Sequence, residues 1–394
     1  MAATTRKAYA STESVIQAGI EATHGTPAST KFSIPVKGPK YKPNQLVIPD
    51  DTMQGTMLSV YDQVNGLRYD GHGWDSYPYL LNFPIFVRAE LGSTDHLTAA
   101  PTSTVLTTAV AKGATTIKTT GTVAAGDWIT FGTGATTETH HVKTVTGTYT
   151  LTLTYPTLYA HAATAAVTGL TGHSFSLLNT AGTGNQPPSC TLWDFDGERC
   201  RQMTGCQLDD LTLKGNATGF VDYTTTWFGN PATKVTEPSP TFSGEAPPGW
   251  TATVSIGGTQ VTTVETWQFD FKRGVKPIPA LTGNPEYFTY FAGPLMATGK
   301  LTFVEQATSP ELTAFLTTET KALDIQLYDI KSGFALRIHS TKAKYKAGDI
   351  TRGSEWVKVP MTIQLLPSTT DAVSGGGGRS PVEITVANSQ PTSY

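Results

Sequence analysis

Apolar and polar side chains alternate along much of this chain, and a period of two predicts strands with one buried face. The alternation is clearest in residues 260–272, 323–327, 334–338 and 356–365. The Lys-Ser-Gly of residues 331–333 separates two of these segments and predicts a hairpin turn. We therefore expect a fold that is mainly β.

Two further hairpins are predicted in the central part of the chain. The first spans residues 189–207 and turns at Asp196 and Gly197, and the second joins residues 208–215 to 220–229. With a two-residue turn, the facing pairs of the first hairpin would be Trp193 with Cys200, Cys190 with Met203, and Asp194 with Arg199.

The cysteine content argues against a disulfide scaffold. The chain has three cysteines, which is an odd number and a small one for 394 residues. In the hairpin register predicted above, Cys190 and Cys200 do not oppose each other. We expect Cys190, Cys200 and Cys206 to be reduced thiols.

Two short helices interrupt the strand pattern. In residues 74–86, Asp75 or Ser76 would cap a helix that ends at Pro84. In residues 309–320, a Ser-Pro-Glu opening supplies an N-cap, a proline at the first helical position and an acid in the first turn. The second helix is the stronger prediction because three start signals coincide there.

The composition changes abruptly to Thr, Ala and Gly between residues 93 and 172. Short β segments separated by glycines predict an inserted β module in this part of the chain. Its strands are expected at residues 115–119, 127–131, 138–145 and 148–154. Its core is expected to contain Trp128, Val142, Val145, Leu151 and Leu153.

Charge and composition exclude several classes of function. Only 15% of residues are charged and the net charge is −3, so the chain lacks the basic field that tight nucleic-acid binding needs. No apolar run approaches the ~20 residues of a membrane-spanning helix, and no signal-peptide core follows residues 1–7. We expect a protein that begins in a cytosol. After the Gly run of residues 375–378, we expect a polar tail that is mobile unless a partner orders it.

Candidate chemistry is sparse. Glu138, His140 and His141 are the nearest approach to a metal cluster, but adjacent residues on a strand point to opposite faces, which favours exposed histidines instead. Residues 194–198 resemble the start of a calcium loop, but a hairpin turn explains them better. Trp193, Trp227, Trp250 and Trp267 could line a sugar-binding groove, although their spacing favours core positions. We predict no catalytic, cofactor or metal site.

Several of these segments together resemble the major tail tube protein of long-tailed, siphovirus-type bacteriophages. Residues 21–26 are similar to the E-x-x-x-G-T signature of that family, residues 187–192 to its proline-led strand, and residues 204–213 to its next strand. The closing helix, hairpin and strand of residues 309–366 follow in family order. The resemblance covers residues 10–92 and 173–367, and the module between them departs from it.

The resemblance implies a mainly β fold. It is a β-sandwich or partial barrel with a flanking α-helix, to which this chain adds a small β domain. The implied divisions are an arm and first part of the tube domain (residues 1–92), an insert on the outer surface (93–172), the rest of the tube domain (173–367) and a Gly-rich linker with a tail (368–394).

The resemblance also implies a structural virion protein without enzymatic activity or cofactors. Its copies would form hexameric rings that stack into a tube and conduct DNA during ejection, without binding it specifically and without a membrane. The implied partners are other copies, a tape measure protein, a tail terminator, and baseplate or tail tip proteins. Assembly would take place in the cytoplasm of the bacterial host.

Within such a tube, we expect the hairpin of residues 207–229 to face the lumen. Its polar face would present Asp209 or Asp210, together with Asp222. A lumen that must release DNA should lack a lysine and arginine lining. The arms, residues 1–38 and 375–394, are expected to make contacts between rings. The alternative is a carbohydrate-binding or adhesive β-sandwich surface protein, with the Thr-rich module as its sugar-facing domain.

Overall fold

The computed structural model describes residues 11–394 except 53, 54, 56, 180–185, 238, 307–309, 353–355 and 375. Within these residues the chain forms 26 β-strands and two α-helices, α1 (Pro84–Leu91) and α2 (Pro310–Leu316), which confirms the mainly β fold. The strands are β1 Val15–Ile20, β2 Phe32–Ile34, β3 Lys37–Asp50, β4 Asp62–Ser76, β5 His96–Thr98, β6 Thr104–Val105, β7 Thr116–Lys118, β8 Trp128–Phe131, β9 Glu138–Thr146, β10 Thr150–Leu153, β11 Ala166–Ser176, β12 Cys190–Phe195, β13 Cys200–Asn216, β14 Asp222–Gly229, β15 Thr233–Val235, β16 Thr253–Ile256, β17 Thr259–Val261, β18 Val264–Lys272, β19 Lys276–Ile278, β20 Thr289–Phe291, β21 Met296–Val304, β22 Thr320–Tyr328, β23 Ala335–Gly348, β24 Thr351–Arg352, β25 Val357–Leu365 and β26 Glu383–Asn388.

The first layer is an antiparallel sheet of eight strands in the order β3-β4-β14-β13-β18-β21-β25-β23. Side chains alternate between its two faces, as they must in a pleated strand. In β14, for example, Tyr223, Thr225 and Trp227 are buried while the residues between them are half-buried. One face therefore packs on the core and the other is polar.

The second layer is built from strands that cover the apolar face of the first. One part has the order β2-β1-β12-β13-β15, and the other runs β5-β11-β26-β23-β22-β16-β17. The long strands β13 and β23 belong to both layers. Each shifts register near the point where it crosses, between Leu208 and Asp210 in β13 and between Ser340 and Ala343 in β23, because a bulge bends a strand.

The core between the layers is rich in aromatic side chains. Trp74 and Trp227 stack with ring centroids 6.0 Å apart, and Phe86 of α1 lies 5.3 Å from Tyr223 and 6.1 Å from Trp227. Each such contact adds about 0.5–1.5 kcal/mol to the stability that burial already provides. This cluster fixes α1 against the first layer.

The predicted boundaries of the first helix were wrong. Residues 74–76 form the end of β4, and α1 starts at Pro84, where the prediction had placed its end. Proline suits the first helical position because its missing N–H would have no helical partner there. Gly92, at φ 87°, ends the helix, and its N–H donates to the carbonyl of Arg88.

The second predicted helix is confirmed but is shorter than expected. It ends at Leu316, Thr318 adopts φ 57°, and β22 already begins at Thr320. The predicted N-cap Ser309 lies outside the described residues. The hairpin that follows is also confirmed, with Gly333 in its turn at φ 73°.

The first central hairpin has a longer turn than predicted. The carboxylate of Asp196 accepts the backbone N–H groups of Glu198 and Arg199, which closes a four-residue loop. The predicted register was therefore wrong, and the observed pairs are Phe195 with Cys200, Trp193 with Gln202, Asp194 with Arg201, and Cys190 with Cys206. The hairpin turn predicted at residues 194–198 is confirmed, and all three cysteines are free thiols.

The Thr-rich segment forms the predicted strands β7, β8, β9 and β10 around its own core. Val142, Leu151 and Leu153 belong to that core and Val145 packs against it, while Trp128 packs instead on Tyr328 at the end of β22. Strand β11 continues from the insert into the second layer. A boundary at residue 172 thus falls inside a strand.

Polar contacts also hold the insert against the hairpin of β22 and β23. The Thr139 hydroxyl donates to the carbonyl of Gly333 at 2.6 Å, and the Gln326 amide donates to the carbonyl of Thr139 at 2.9 Å. The Tyr155 hydroxyl donates to Asp324 Oδ1 at 2.8 Å. The insert is therefore docked on the second layer through buried hydrogen bonds.

The prediction of a mobile tail after the glycine run was wrong. Strand β26 pairs with β11 on one side and β23 on the other, and its alternating apolar side chains are buried. Tyr394 is 9% exposed, its backbone carbonyl accepts from Arg88, and its hydroxyl accepts from Asn388 Nδ2 at 3.0 Å. Gly375 itself lies outside the described residues, as do residues 1–10 of the predicted N-terminal arm.

Candidate lumen face and assembly surfaces

The outer face of the eight-stranded sheet is polar across its whole width. Hydrogen-bonded neighbours on successive strands place one side chain from each strand in a single row. All members of that row are half-buried or exposed. The row contains Lys37, Asp75, Thr224, Thr212, Asp270, Thr298, Gln364 and Lys344.

Two of the predicted lumen residues lie on this face and one does not. Asp210 pairs with Lys272 at 3.1 Å, and Asp222 pairs with Lys37 at 2.8 Å. Asp209 sits at the register shift of β13 and accepts the N–H of Val275 at 2.6 Å. Its burial raises the pKa of its carboxyl. The bulge thus ties Asp209 to the loop after β18.

The same face is mixed in charge. Lys214 and Lys300 are exposed beside Asp222 and line one shallow cleft with Gln268. The expectation of a lining without lysine does not describe this face. Because Lys37 and Lys272 are each paired with an aspartate, part of its positive charge is neutralised locally.

Strands β3 and β4 form a long hairpin whose far end extends beyond β14. Strand β4 pairs with β14 only through residues 70–76, so residues 62–69 continue without that support. Leu46, Ile48 and Val64 at this end are 52%, 52% and 62% exposed. Among the described strands β3 pairs only with β4, which leaves it as an open edge.

Sequence reasoning missed this hairpin. The signals available were the apolar triplet Leu46-Val47-Ile48 and the Met57-Leu58 pair, which lie in a segment without lysine or arginine. An exposed apolar cluster on an open edge indicates a surface that a partner covers.

Glu21 is the structural centre of the E-x-x-x-G-T segment. Its buried carboxylate accepts four hydrogen bonds, from the N–H of Gly25 at 2.8 Å, the N–H of Gly205 at 2.9 Å, and the hydroxyls of Ser189 at 2.7 Å and Thr191 at 2.8 Å. Gly205 adopts φ 61°, a conformation that favours glycine. Three segments that lie far apart in sequence therefore meet at one carboxylate.

The histidines of the insert are less exposed than predicted. His140 is buried, and its Nε2 lies 3.0 Å from Glu138, while His161 Nε2 lies 2.5 Å from the other oxygen of the same carboxylate. Burial raises the pKa of the Glu138 carboxyl, but the hydrogen bond and charge of His140, the N–H of Leu158 and the hydrogen bond of His161 together outweigh burial, so the net pKa is lowered. The described residues contain no group of three or more His, Cys, Asp or Glu placed to hold a metal ion.

Among the candidate tryptophans, Trp193, Trp227 and Trp267 are buried core residues, as their spacing favoured. Trp250 is 48% exposed and lies outside that pattern. A groove lined by all four, as a sugar-binding site would need, is therefore not formed.

The family comparison agrees with this architecture. A family model described as phage tail tube protein matches residues 87–387, which is well over half of the chain. The chain belongs to the phage tail tube protein family. No curated protein matches it. As a tail tube protein it is a structural component of the phage tail, and the adhesive alternative is not favoured.

Membership in a structural family suggests a protein without enzymatic activity. In the described part of the chain, neither helix has the length and apolar character needed to cross a bilayer. The candidate functional surfaces of this tail tube protein are the polar face, the open edge and the projecting hairpin.

Proposed function

We propose that this tail tube protein polymerises into stacked rings, six copies in each, and that the resulting tube conducts DNA into the host cell. The observation that carries the proposal is the eight-stranded sheet, which has one face on the core, one polar face and an open edge strand. A sheet with these properties can be continued by a neighbouring copy.

The polar face fits the inner wall of such a tube. A closed barrel becomes wider as strands are added, and roughly 16–18 strands already enclose an aqueous channel. Joined sheets from six copies would exceed that number and leave room for a duplex. The insert docks on the second layer, so it would lie on the outside of the wall.

DNA passage requires a wall that does not hold phosphates. Each lysine that neutralises a phosphate strengthens binding, and many such contacts along a tube would retain the duplex. Asp210 and Asp222 oppose this effect because they pair with Lys272 and Lys37. Each tail would repeat these pairs along its full length.

The test is to replace both aspartates with lysine, Asp210→Lys and Asp222→Lys, in an infectious phage. The change removes both ion pairs and replaces two negative charges with two positive charges in each subunit, so DNA delivery per particle should fall while tails of normal length still assemble. Glu198→Lys, in the exposed hairpin turn, is the matched control. Normal delivery by the double variant would remove this face from the lumen.

A further inference from the structure

The two ends of the eight-stranded sheet carry opposite charge. At one end, residues 44–52 and 57–64 of the β3–β4 hairpin contain Asp50, Asp51 and Asp62 and no lysine or arginine. We call this part the acidic edge. Its aspartates are exposed or half-buried, and they lie beside the exposed apolar side chains of Leu46 and Ile48.

The opposite end of the sheet is basic. Between residues 342 and 352 the chain has three lysines and Arg352, with Asp349 as the single acid. We call this segment the basic edge. Lys342, Lys346 and Arg352 are exposed, and within the described residues none of them lies within ion-pair distance of an acid.

The basic edge also has exposed apolar neighbours. Ile350 is 41% exposed, Trp356 is 43% exposed, and Leu316 at the end of α2 is 73% exposed. Both ends of the sheet thus combine uncovered apolar side chains with one sign of charge. A protein surface of this kind is typical of a contact that is covered in the assembled state.

We propose that the acidic edge of one copy docks on the basic edge of the next copy within a ring. The two edges are different surfaces at opposite ends of one sheet, so the contact is head-to-tail. Head-to-tail contacts close into a ring when the rotation from one copy to the next divides a full turn evenly. Opposite charge steers the two edges together and disfavours contact between like edges. This proposal rests on the proposed function and identifies its lateral interface.

A second copy fits the basic edge better than DNA does. The basic edge contains one acid, and three exposed apolar side chains lie in it or next to it, whereas a phosphate-binding surface gains little from apolar groups. The acidic edge of a second copy offers three carboxylates for the basic side chains and an apolar cluster for the exposed apolar side chains. Charge complementarity therefore selects the occupant.

A charge-swap experiment tests the pairing. One variant carries Asp50→Lys, Asp51→Lys and Asp62→Lys, and a second carries Lys342→Glu, Lys346→Glu and Arg352→Glu. Each alone should reduce the yield of tubes by about tenfold or more at low salt, because like charges then face each other. The variant that combines all six changes should recover most of the yield.

The matched control is Lys112→Glu, Lys118→Glu and Lys143→Glu, which makes the same change of charge on exposed residues of the insert. It should assemble like the wild type. Circular dichroism and thermal unfolding would verify that every variant is folded. If folded single-edge variants assemble normally, or if the combined variant does not recover, the pairing is overturned.

The outcomes separate this inference from the proposed function. If the wild type forms tubes and the charge changes have no effect on tube yield, the edge pairing is rejected and the proposed function stands. A wild-type chain that forms no tubes would reject the proposed function first. Binding of a labelled DNA duplex to the basic edge, abolished by the three glutamates, would assign that surface to nucleic acid instead.

Discussion

Glu21 shows how one residue can organise distant parts of this fold. Its carboxylate accepts bonds from residues in the segments before β2, before β12 and within β13. A carboxylate suits the position because it is an acceptor only and can serve four donors at once. The glutamate and glycine of the E-x-x-x-G-T segment are thus explained by a hydrogen bond between them.

Replacing this carboxylate with an amide should destabilise the subunit. In Glu21→Gln, either amide orientation directs an NH₂ group at Gly25 or at Gly205, whose backbone N–H groups cannot become acceptors. We expect a loss of roughly 2–4 kcal/mol in the free energy of unfolding. Urea denaturation would measure it, with the exposed Glu198→Gln as control. A loss no larger than that of the control would contradict this role.

His141 makes the stability of the folded chain depend on pH. It lies between the ring of Trp128 and the Thr154 hydroxyl, and burial, followed by the charge of Arg337, lowers its pKa from 6.5 to about 3. As the pH falls below 6.5, the unfolded chain takes up this proton before the folded one does. The stability that His141 contributes is therefore complete above pH 6.5 and is lost as the pH falls towards 3.

We expect acidification from pH 7 to pH 5 to destabilise the wild type by roughly 1–2 kcal/mol more than His141→Gln, which carries no titrating group. Thermal unfolding at the two pH values would measure the difference. The exposed His96→Gln should behave like the wild type. Equal pH dependence in the wild type and His141→Gln would show that His141 is not responsible.

At the scale of elements, alternation was a reliable guide wherever one face of a strand is buried. Strands β18, β23 and β25 follow the predicted pattern because most of their buried residues recur at every second position. Strands β22 and β9 also lie where they were predicted, although consecutive residues in both are buried. The pattern also placed Asp210 and Asp222 on one face. It could not place Asp209, because the bulge between Leu208 and Asp210 changes the alternation locally.

Elements whose pattern departs from alternation were missed. Strand β3 contains Pro39, Pro43 and Pro49 and has apolar residues on exposed positions, so it resembles a loop in sequence. Strand β26 was assigned to a tail because glycines precede it. The helix α1 was displaced because Pro84 was taken as its end. In each case the structure of the segment depends on contacts with residues that lie far away in sequence.

We expect the hairpin tip to contribute to assembly rather than to the stability of the subunit. Ile48 and Val64 face each other across the hairpin, and both are largely exposed. Ile48→Asp combined with Val64→Asp should change the free energy of unfolding by less than about 1 kcal/mol, because exposed positions tolerate substitution. The same variant should lose polymerisation, since both carboxylates would be buried in the contact.

Sedimentation velocity would show the loss of polymers. Tyr149→Asp is the matched control, because Tyr149 is an exposed apolar residue of the insert, 42% exposed. It should polymerise like the wild type. Normal polymerisation of the hairpin variant would place the tip outside every contact between copies.

At the scale of the whole molecule, one sheet carries the proposed functional surfaces of this tail tube protein. Its inner face packs on the aromatic core, its outer face is polar, and its two ends are an acidic and a basic edge. The second layer carries the insert on the other side of the core. The sequence was enough to predict the family and the β-sandwich fold. It could not show that the acidic and basic segments lie at opposite ends of one sheet, because that depends on the order of the strands in space.

The most direct test of the central claim is electron microscopy of the purified chain over a concentration series, with sedimentation of the same samples. The account predicts that the chain converts from single subunits to hollow tubes of uniform diameter as the concentration rises. A chain that remains a single folded subunit at every concentration, and that is absent from the tail tubes of its phage, would contradict it.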